Sequence, residues 1–322
     1  MATDSANTSA DGSTSDSAWR LPEPNRRTER SKPQAPGLAV VATPIGNLRD
    51  VTLRALDVLA AADVIACEDT RVTRKLLAAY AIKTPLLAYH EHNAEQVRPK
   101  LIGRLKDGAS VALVSDAGMP LISDPGHKLV RAACEAGIAV TVIPGPSAVL
   151  TALGAAALPS DAFHFAGFLP AKSAARRAAL AKLATVPATL IVFESARRLA
   201  KSLQDMADTL GRRPAAVARE LTKLHEEIRR DDLAALARHY AAAGPPKGEV
   251  TLVVGPPAAA PAADDATLDA MLRKALQTQS LRDAAAAVAG RLGLPKRRVY
   301  ARALDLAGET DADADHGSAG DS

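Results

Sequence analysis

The stretch Val111–Gly126 reads V-A-L-V-S-D-A-G-M-P-L-I-S-D-P-G. It opens on Val111–Val114, a short apolar run that reads as a buried strand. It then breaks into Ser115, Asp116, Ala117, Gly118, Met119 and Pro120, with a second small-residue cluster at Ser123–Gly126. A helical run follows from Lys128 to Ala136 and is closed by Gly137. A strand that ends in a Gly- and Pro-rich loop before a helix is where open α/β sheets bind ligands. Glycine lets a ligand approach the backbone, while N–H groups and carboxylates can hold its polar atoms. An ordinary βα turn is the plainer reading, but most such loops have about 2–6 residues. This one is longer and carries two acidic residues.

Working outward, the same unit recurs. Strands are predicted at Leu38–Ala42, Asp63–Cys67, Leu86–Tyr89 and Ile138–Ile143. Each ends in a polar loop and is followed by a helical run: Leu53–Ala61, with Thr52 as its cap, then one reaching about Tyr80, Glu95–Lys106 and Val149–Ala157. A strand-loop-helix repeat of this kind predicts a mostly parallel sheet with helices on both faces. Polar residues fall just past the strands: Pro44 and Asn47; Glu68, Asp69 and Arg71; His90, His92 and Asn93; Ser115 and Asp116; Ser147. Parallel strands end on one edge of their sheet, so these residues converge in space although distant in sequence.

A second region starts near Leu158. Strands are expected at Phe163–Pro170 with its turn, at Thr189–Phe193 before Glu194 and Ser195, at Ala215–Arg219 before Glu220–Lys223, and at Gly248–Val254. Long helical and shorter irregular connections alternate there, which favours a mixed sheet. P-P-A-A-A-P-A-A (Pro256–Ala263) is a stiff linker. Beyond it, helices at Leu281–Ala289 and Lys296–Leu306 flank Gly293-Leu294-Pro295. That pattern fits a helix-turn-helix whose second helix is basic, or a plain helical hairpin. The expected organisation is 1–36 disordered tail, 37–157 N-terminal α/β domain, 158–255 C-terminal α/β domain, 256–265 linker, 266–307 helix-turn-helix-like unit and 308–322 acidic disordered tail.

Composition bounds the function. Of 322 residues, 48% are hydrophobic and 24% charged, as in a soluble globular protein, while 3% aromatics argue against an extended base-stacking platform. The net charge of +4 hides an uneven distribution. Setting aside Glu309, Asp311, Asp313, Asp315 and Asp321 raises the rest to about +9, which favours a polyanionic partner. Two cysteines, Cys67 and Cys134, with no CxxC and no His at metal-ligand spacing, suggest a reducing cytoplasm and no metal. No apolar run spans a bilayer, and the opening M-A-T-D-S-A-N-T lacks the charged and apolar regions of a signal peptide, so no membrane partner is expected. GxGxxG after the first strand, a Walker loop, GxSxG and paired-His motifs are all missing. Hydride transfer, nucleotide hydrolysis and serine hydrolysis lose their support.

T-P-I-G-N-L-R-D-V-T (Thr43–Thr52), A-C-E-D-T-R (Ala66–Arg71), L-V-S-D-A-G-M-P-L-I-S-D-P-G (Leu113–Gly126), I-P-G-P-S-A (Ile143–Ala148) and G-F-L-P-A-K (Gly167–Lys172) together resemble one family. F-E-S-A-R-R (Phe193–Arg198), A-R-E-L-T-K (Ala218–Lys223) and K-G-E-V-T-L-V-V (Lys247–Val254) continue the likeness. It is the bacterial 16S ribosomal RNA cytidine 2′-O-methyltransferases, in the tetrapyrrole-methylase superfamily. The resemblance spans about residues 38–255 and extends to the terminal helical unit. It implies two α/β domains with S-adenosylmethionine in the cleft between them, a homodimer, and 16S rRNA or the small ribosomal subunit as partner. By motif match the cofactor contacts fall on Pro44, Asp116, Ala117, Gly118, Ser147 and Ala148. Met119 stands where the family pattern favours threonine or another small residue.

A sulfonium methyl is already electrophilic, so an enzyme need only hold sulfur, methyl and oxygen in line. A ribose hydroxyl is a weak nucleophile, helped by a nearby base or by a cation. Glu68 or Asp69 is the expected base, with Lys223 next; Asp69 could instead cap its helix or pair with Arg71, and Glu220 could pair with Arg219 or Lys223. Arg71, Arg74, Lys172, Arg176, Arg177, Arg197 and Arg198 are candidate RNA phosphate contacts, each also readable as a solvated charge. Two other functions stay open: a tetrapyrrole C-methylase of the same fold, and a helix-turn-helix DNA-binding protein with an α/β ligand sensor.

Overall fold

The computed structural model describes residues 35–123, 126–258 and 264–316, with side chains described to residue 308. The chain divides into two compact units, one up to Pro256 and one from Pro257.

The first unit holds two sheets. The N-terminal sheet contains β1 (Gly37–Val41), β2 (Val64–Cys67), β3 (Leu86–Ala88), β4 (Ser110–Val114) and β5 (Val140–Ile143). Their order is β3-β2-β4-β1-β5, and every pairing is parallel, as the repeat predicts. Helices α1 (Leu53–Ala61), α2 (Thr70–Ala79), α3 (Ala94–Lys106), α4 (His127–Glu135) and α5 (Ala148–Ala156) follow the five strands in turn. Side chains alternate across a strand. Leu38 and Val40 therefore pack with Ala66, Val111 and Leu113 on one face, and Ala39 and Val41 with Ile65, Cys67 and Ala112 on the other. Both faces are apolar, so both need helices. The helix starts are fixed locally: the Thr52 side chain accepts from the Ala55 N–H, and Asp69 from the Arg71 N–H.

The second sheet contains β6 (Phe163–Phe168), β7 (Thr189–Ser195), β8 (Pro214–Arg219), β9 (Glu227–Asp232) and β10 (Glu249–Val254), in the order β6-β7-β10-β8-β9. β6 and β7 are parallel and the other pairs antiparallel, so the sheet is mixed, as expected. Helices α6 (Ser173–Leu183), α7 (Leu199–Leu210) and α8 (Leu233–Ala243) belong to the same half. β9 is not evident in the sequence. E-I-R-R-D-D carries a single apolar residue, and charge of this kind suits an edge strand. Glu194 and Ser195 lie inside β7 and not beyond it.

The two sheets are joined through α5. Val149, Ala152, Leu153 and Ala156 of α5 pack with Ile191, Ala216, Ala218 and Val253 of the second sheet, and Ile45 belongs to the same cluster.

The unit from Pro257 is a three-helix cluster, where two helices were expected: α9 (Asp265–Leu276), α10 (Leu281–Leu292) and α11 (Lys296–His316). Leu268, Leu272, Val288, Val299 and Leu306 form its core. α11 continues to His316, into the stretch expected to be a disordered tail from 308. Once packing has nucleated a helix, each further residue adds a hydrogen bond cheaply. Two of the four cations of the expected basic helix are ion-paired within the unit: Arg298 with Asp265 and Arg302 with Asp269. The tails at 1–34 and 317–322 and the linker residues 259–263 lie outside the described residues. No helix among the described residues is long and apolar enough to cross a membrane.

Candidate active site

The loops past the N-terminal strands interlock. Thr43, after β1, exchanges two backbone hydrogen bonds with Gly118, after β4, at 2.9 and 3.0 Å. The Thr43 hydroxyl also donates to the Ser115 carbonyl at 3.2 Å. Asp116 accepts the Asp69 N–H at 3.0 Å, tying in the loop after β2.

The β1 loop also reaches the second domain. The Asn47 N–H donates to the Thr222 hydroxyl at 3.1 Å. Position 46 must be glycine for this approach: an added Cβ would fall 2.5 Å from Lys223 Cγ and 2.8 Å from the Leu221 carbonyl oxygen. The loop it meets is itself unusual, because Glu220 and Thr222 both have left-handed backbones, at φ +50° and +64°. Such strain persists only where the surroundings enforce it. Lys223 is held there by two carboxylates, donating to Glu220 at 2.8 Å and Glu249 at 2.9 Å. Burial pulls its ammonium toward the neutral form, but the bonds to Glu220 and Glu249 outweigh this and leave its pKa above the ordinary lysine value. Glu220 is lowered, chiefly by Lys223 and then by the Glu249 N–H.

Two cavities adjoin this junction. The larger, about 640 Å³, lies between Ala117, Gly118, Ser147 and Ala148 of the first domain and Phe168, Phe193, Arg197, Leu221 and Gly248 of the second. The smaller, about 230 Å³, is bounded by Thr43, Pro44, Leu48, Val72, Asp116 and Lys223. Ile45, Ala117 and Glu249 line both. All six residues matched to cofactor contacts thus fall on one or other wall, and Lys223 stands among them.

Other assignments need correction. Neither Glu68 nor Asp69 lines these two cavities. Asp69 is committed elsewhere: it caps α2 and forms a forked pair with Arg71, with a closest approach of 2.6 Å. The bonds from Arg71 hold its pKa at about 2, which makes it a poor base. Glu68 is half-buried at the end of β2. Arg176 is no surface cation. It is 2% exposed, pairs with Asp205 at 2.6 Å and donates to the carbonyls of Pro170 and Ala171. Arg198 is half-buried and pairs with Glu194, a buried carboxylate that also accepts the Ser202 hydroxyl. Arg71 is exposed but paired, and Arg177 lies 3.6 Å from Asp205. Arg74, Lys172 and Arg197 are exposed, and Arg197 lines the larger cavity. Glu220 pairs with Lys223, while Arg219 pairs with Glu227. Among the described residues no cluster of three or more His, Cys, Asp or Glu is placed to hold a metal.

Sequence reasoning missed Glu249, Gly248 and Gly46. K-G-E-V and T-P-I-G-N were visible as motifs, but no local pattern says that these loops meet.

The comparisons agree with this architecture. Residues 37–237 match the tetrapyrrole (corrin/porphyrin) methylases, and residues 262–307 match the RsmI C-terminal HTH domain. A ribosomal RNA small subunit methyltransferase I from Mesorhizobium japonicum is 54% identical, over 89% of this chain and 97% of that protein. Its counterpart from Erythrobacter litoralis is 52% identical, over 86% and 97%. Among solved structures, a diphthine synthase superposes with a TM-score of 0.53 at 15% identity, covering 68% of this chain and 89% of that one; this likeness is one of fold alone. The chain belongs to the tetrapyrrole methylase family and, within it, to the ribosomal RNA small subunit methyltransferase I proteins.

Proposed function

We propose that this protein transfers a methyl group from S-adenosylmethionine to the ribose 2′ oxygen of a cytidine in 16S ribosomal RNA. The observation that carries the reading is the pair of adjoining cavities at the domain junction, with a doubly held Lys223 on the smaller, in a chain 54% identical to a named ribosomal RNA methyltransferase.

The larger cavity suits the cofactor. Its volume of about 640 Å³ is within the usual range for small-molecule sites. Ala117, Gly118 and Ala148 leave backbone within reach of polar atoms, and Phe168 packs on Phe193 at 5.5 Å to give an aromatic wall beside it. Held against Gly118, Ser147 and Ala148, S-adenosylmethionine would supply an electrophilic methyl group with the thioether sulfur as leaving atom. The chain's own residues supply position and charge. Lys223 stays protonated and fixed between Glu220 and Glu249, so its ammonium can stabilise negative charge developing on the acceptor oxygen. The interlocked Thr43 and Gly118 backbones hold the β1 and β4 loops in register with it. No base need be named, because positioning and cationic stabilisation carry the step.

A cytoplasmic homodimer belongs to the same reading. Both free cysteines fit a reducing compartment, and Val142 of β5 and Leu150 of α5 are exposed apolar side chains available to a second copy. The test is to map 2′-O-methyl marks on 16S rRNA from cells with and without this protein. One cytidine should lose its mark when the protein is absent; an unchanged map refutes the assignment.

A further inference from the structure

We infer that the smaller cavity is the acceptor subsite, and that it admits a single nucleoside turned out of an RNA strand. The inference rests on the RNA-methylation reading above. At about 230 Å³ beside a cavity of about 640 Å³, it is on the scale of one base with its ribose. The two spaces share Ile45, Ala117 and Glu249 and therefore adjoin.

Its walls are chemically divided. Leu48 and Val72 form an apolar side and Lys223 a polar one, while Pro44 and Asp116, the two matched cofactor contacts on this wall, neighbour the shared Ile45 and Ala117 in sequence and so stand toward the cofactor cavity. Leu48 and Val72 are large apolar residues left 43% and 38% exposed, so a flat apolar group laid on them removes apolar surface from water. A base face does so, while the ribose and base edge meet the polar side. Lys75, also on the wall and exposed, is placed for a flanking phosphate. The apolar side is preformed: the Tyr80 hydroxyl donates to the Leu48 carbonyl at 2.7 Å, fastening the loop that carries Leu48 to the helix that carries Val72. An enzyme acting on a nucleotide within structured RNA must expose it, and a pocket sized for one nucleoside selects unstacked residues.

The test is Val72→Trp, which fills the cavity from an exposed helix position, with Leu48→Trp as the second variant should the first fail to fold. Circular dichroism checks folding, calorimetry with S-adenosylhomocysteine reads the larger cavity, and labelled methyl transfer to small ribosomal subunits reads the acceptor. The expected result is unchanged affinity for S-adenosylhomocysteine and a loss of about a hundredfold in kcat/KM, the scale of a misplaced reactant. Wild-type transfer rates in either folded variant overturn the inference. Loss of S-adenosylhomocysteine affinity overturns it too, because the cavity would then belong to the cofactor. Failure of the underlying reading is seen separately, as absent transfer to RNA by the unsubstituted protein, and removes both.

Discussion

Gly248→Ala tests whether a backbone approach fixes the charged cluster at the domain junction. Gly248 sits at φ +98°, and an added Cβ would fall 2.3–2.4 Å from the Glu220 side chain. Glu220 has no easy retreat. It accepts from Lys223 at 2.8 Å and from the Glu249 N–H at 3.0 Å, so moving it breaks both bonds. A side chain on a left-handed backbone costs about 1–2 kcal/mol, and overpacking a further 1–3 kcal/mol or so. Gly248→Ala should therefore destabilise the protein by about 2–5 kcal/mol. Gly137→Ala is the control: its φ is +71°, but no heavy atom lies within 4 Å of the added Cβ. It carries the backbone strain alone, about 1–2 kcal/mol. The difference of about 1–3 kcal/mol is roughly a five- to 150-fold change in the folding equilibrium. Urea unfolding of both variants reads the difference, and methyl transfer to small subunits reads the displacement of Lys223. Equal midpoints, with turnover unchanged in Gly248→Ala, would falsify the claim that this contact holds Glu220 in place.

Three further outcomes follow from the same geometry. Lys223→Met should lower single-turnover methyl transfer by about a hundred- to a thousandfold, the usual loss on removing a charge-stabilising donor, while calorimetry finds cofactor affinity retained; a near-normal rate would remove Lys223 from the chemistry. Asp69→Asn should keep near-normal transfer, because asparagine still caps α2. Asp69's folded pKa of about 2 lies below its ordinary 3.8, so its contribution to stability is full above 3.8 and lost as pH falls through 2; the variant should flatten acid unfolding in that window, as followed by circular dichroism. Arg176→Ala should cost about 3–5 kcal/mol in urea unfolding by stranding buried Asp205, with little change in the salt dependence of RNA binding, whereas Arg177→Ala leaves stability nearly unchanged.

Those parts of the protein that depend on local pattern are legible in the chain. Apolar runs of four or five residues, each followed by a polar loop and a helical period, specify parallel strands with covered faces, and the long loop after Val111–Val114 lines both cavities at the domain junction. Helix caps at Thr52 and Asp69 are equally local, since the partner N–H is two or three residues away. The motifs Thr43–Thr52 and Pro144–Ala148 marked loops that lie together because all strands of one parallel sheet end on one edge. Which charges face solvent is set by long-range packing. Arg176 and Arg177 are neighbours on one helix, yet one is buried on Asp205 and the other exposed, a difference set by what packs on that helix. The Lys223–Glu220–Glu249 cluster likewise joins the loop after β8 to the start of β10, and its fit against Gly46 requires a loop from the other domain. Periodicity reports which face of an element is apolar; it carries no information on which loop the folded chain brings opposite.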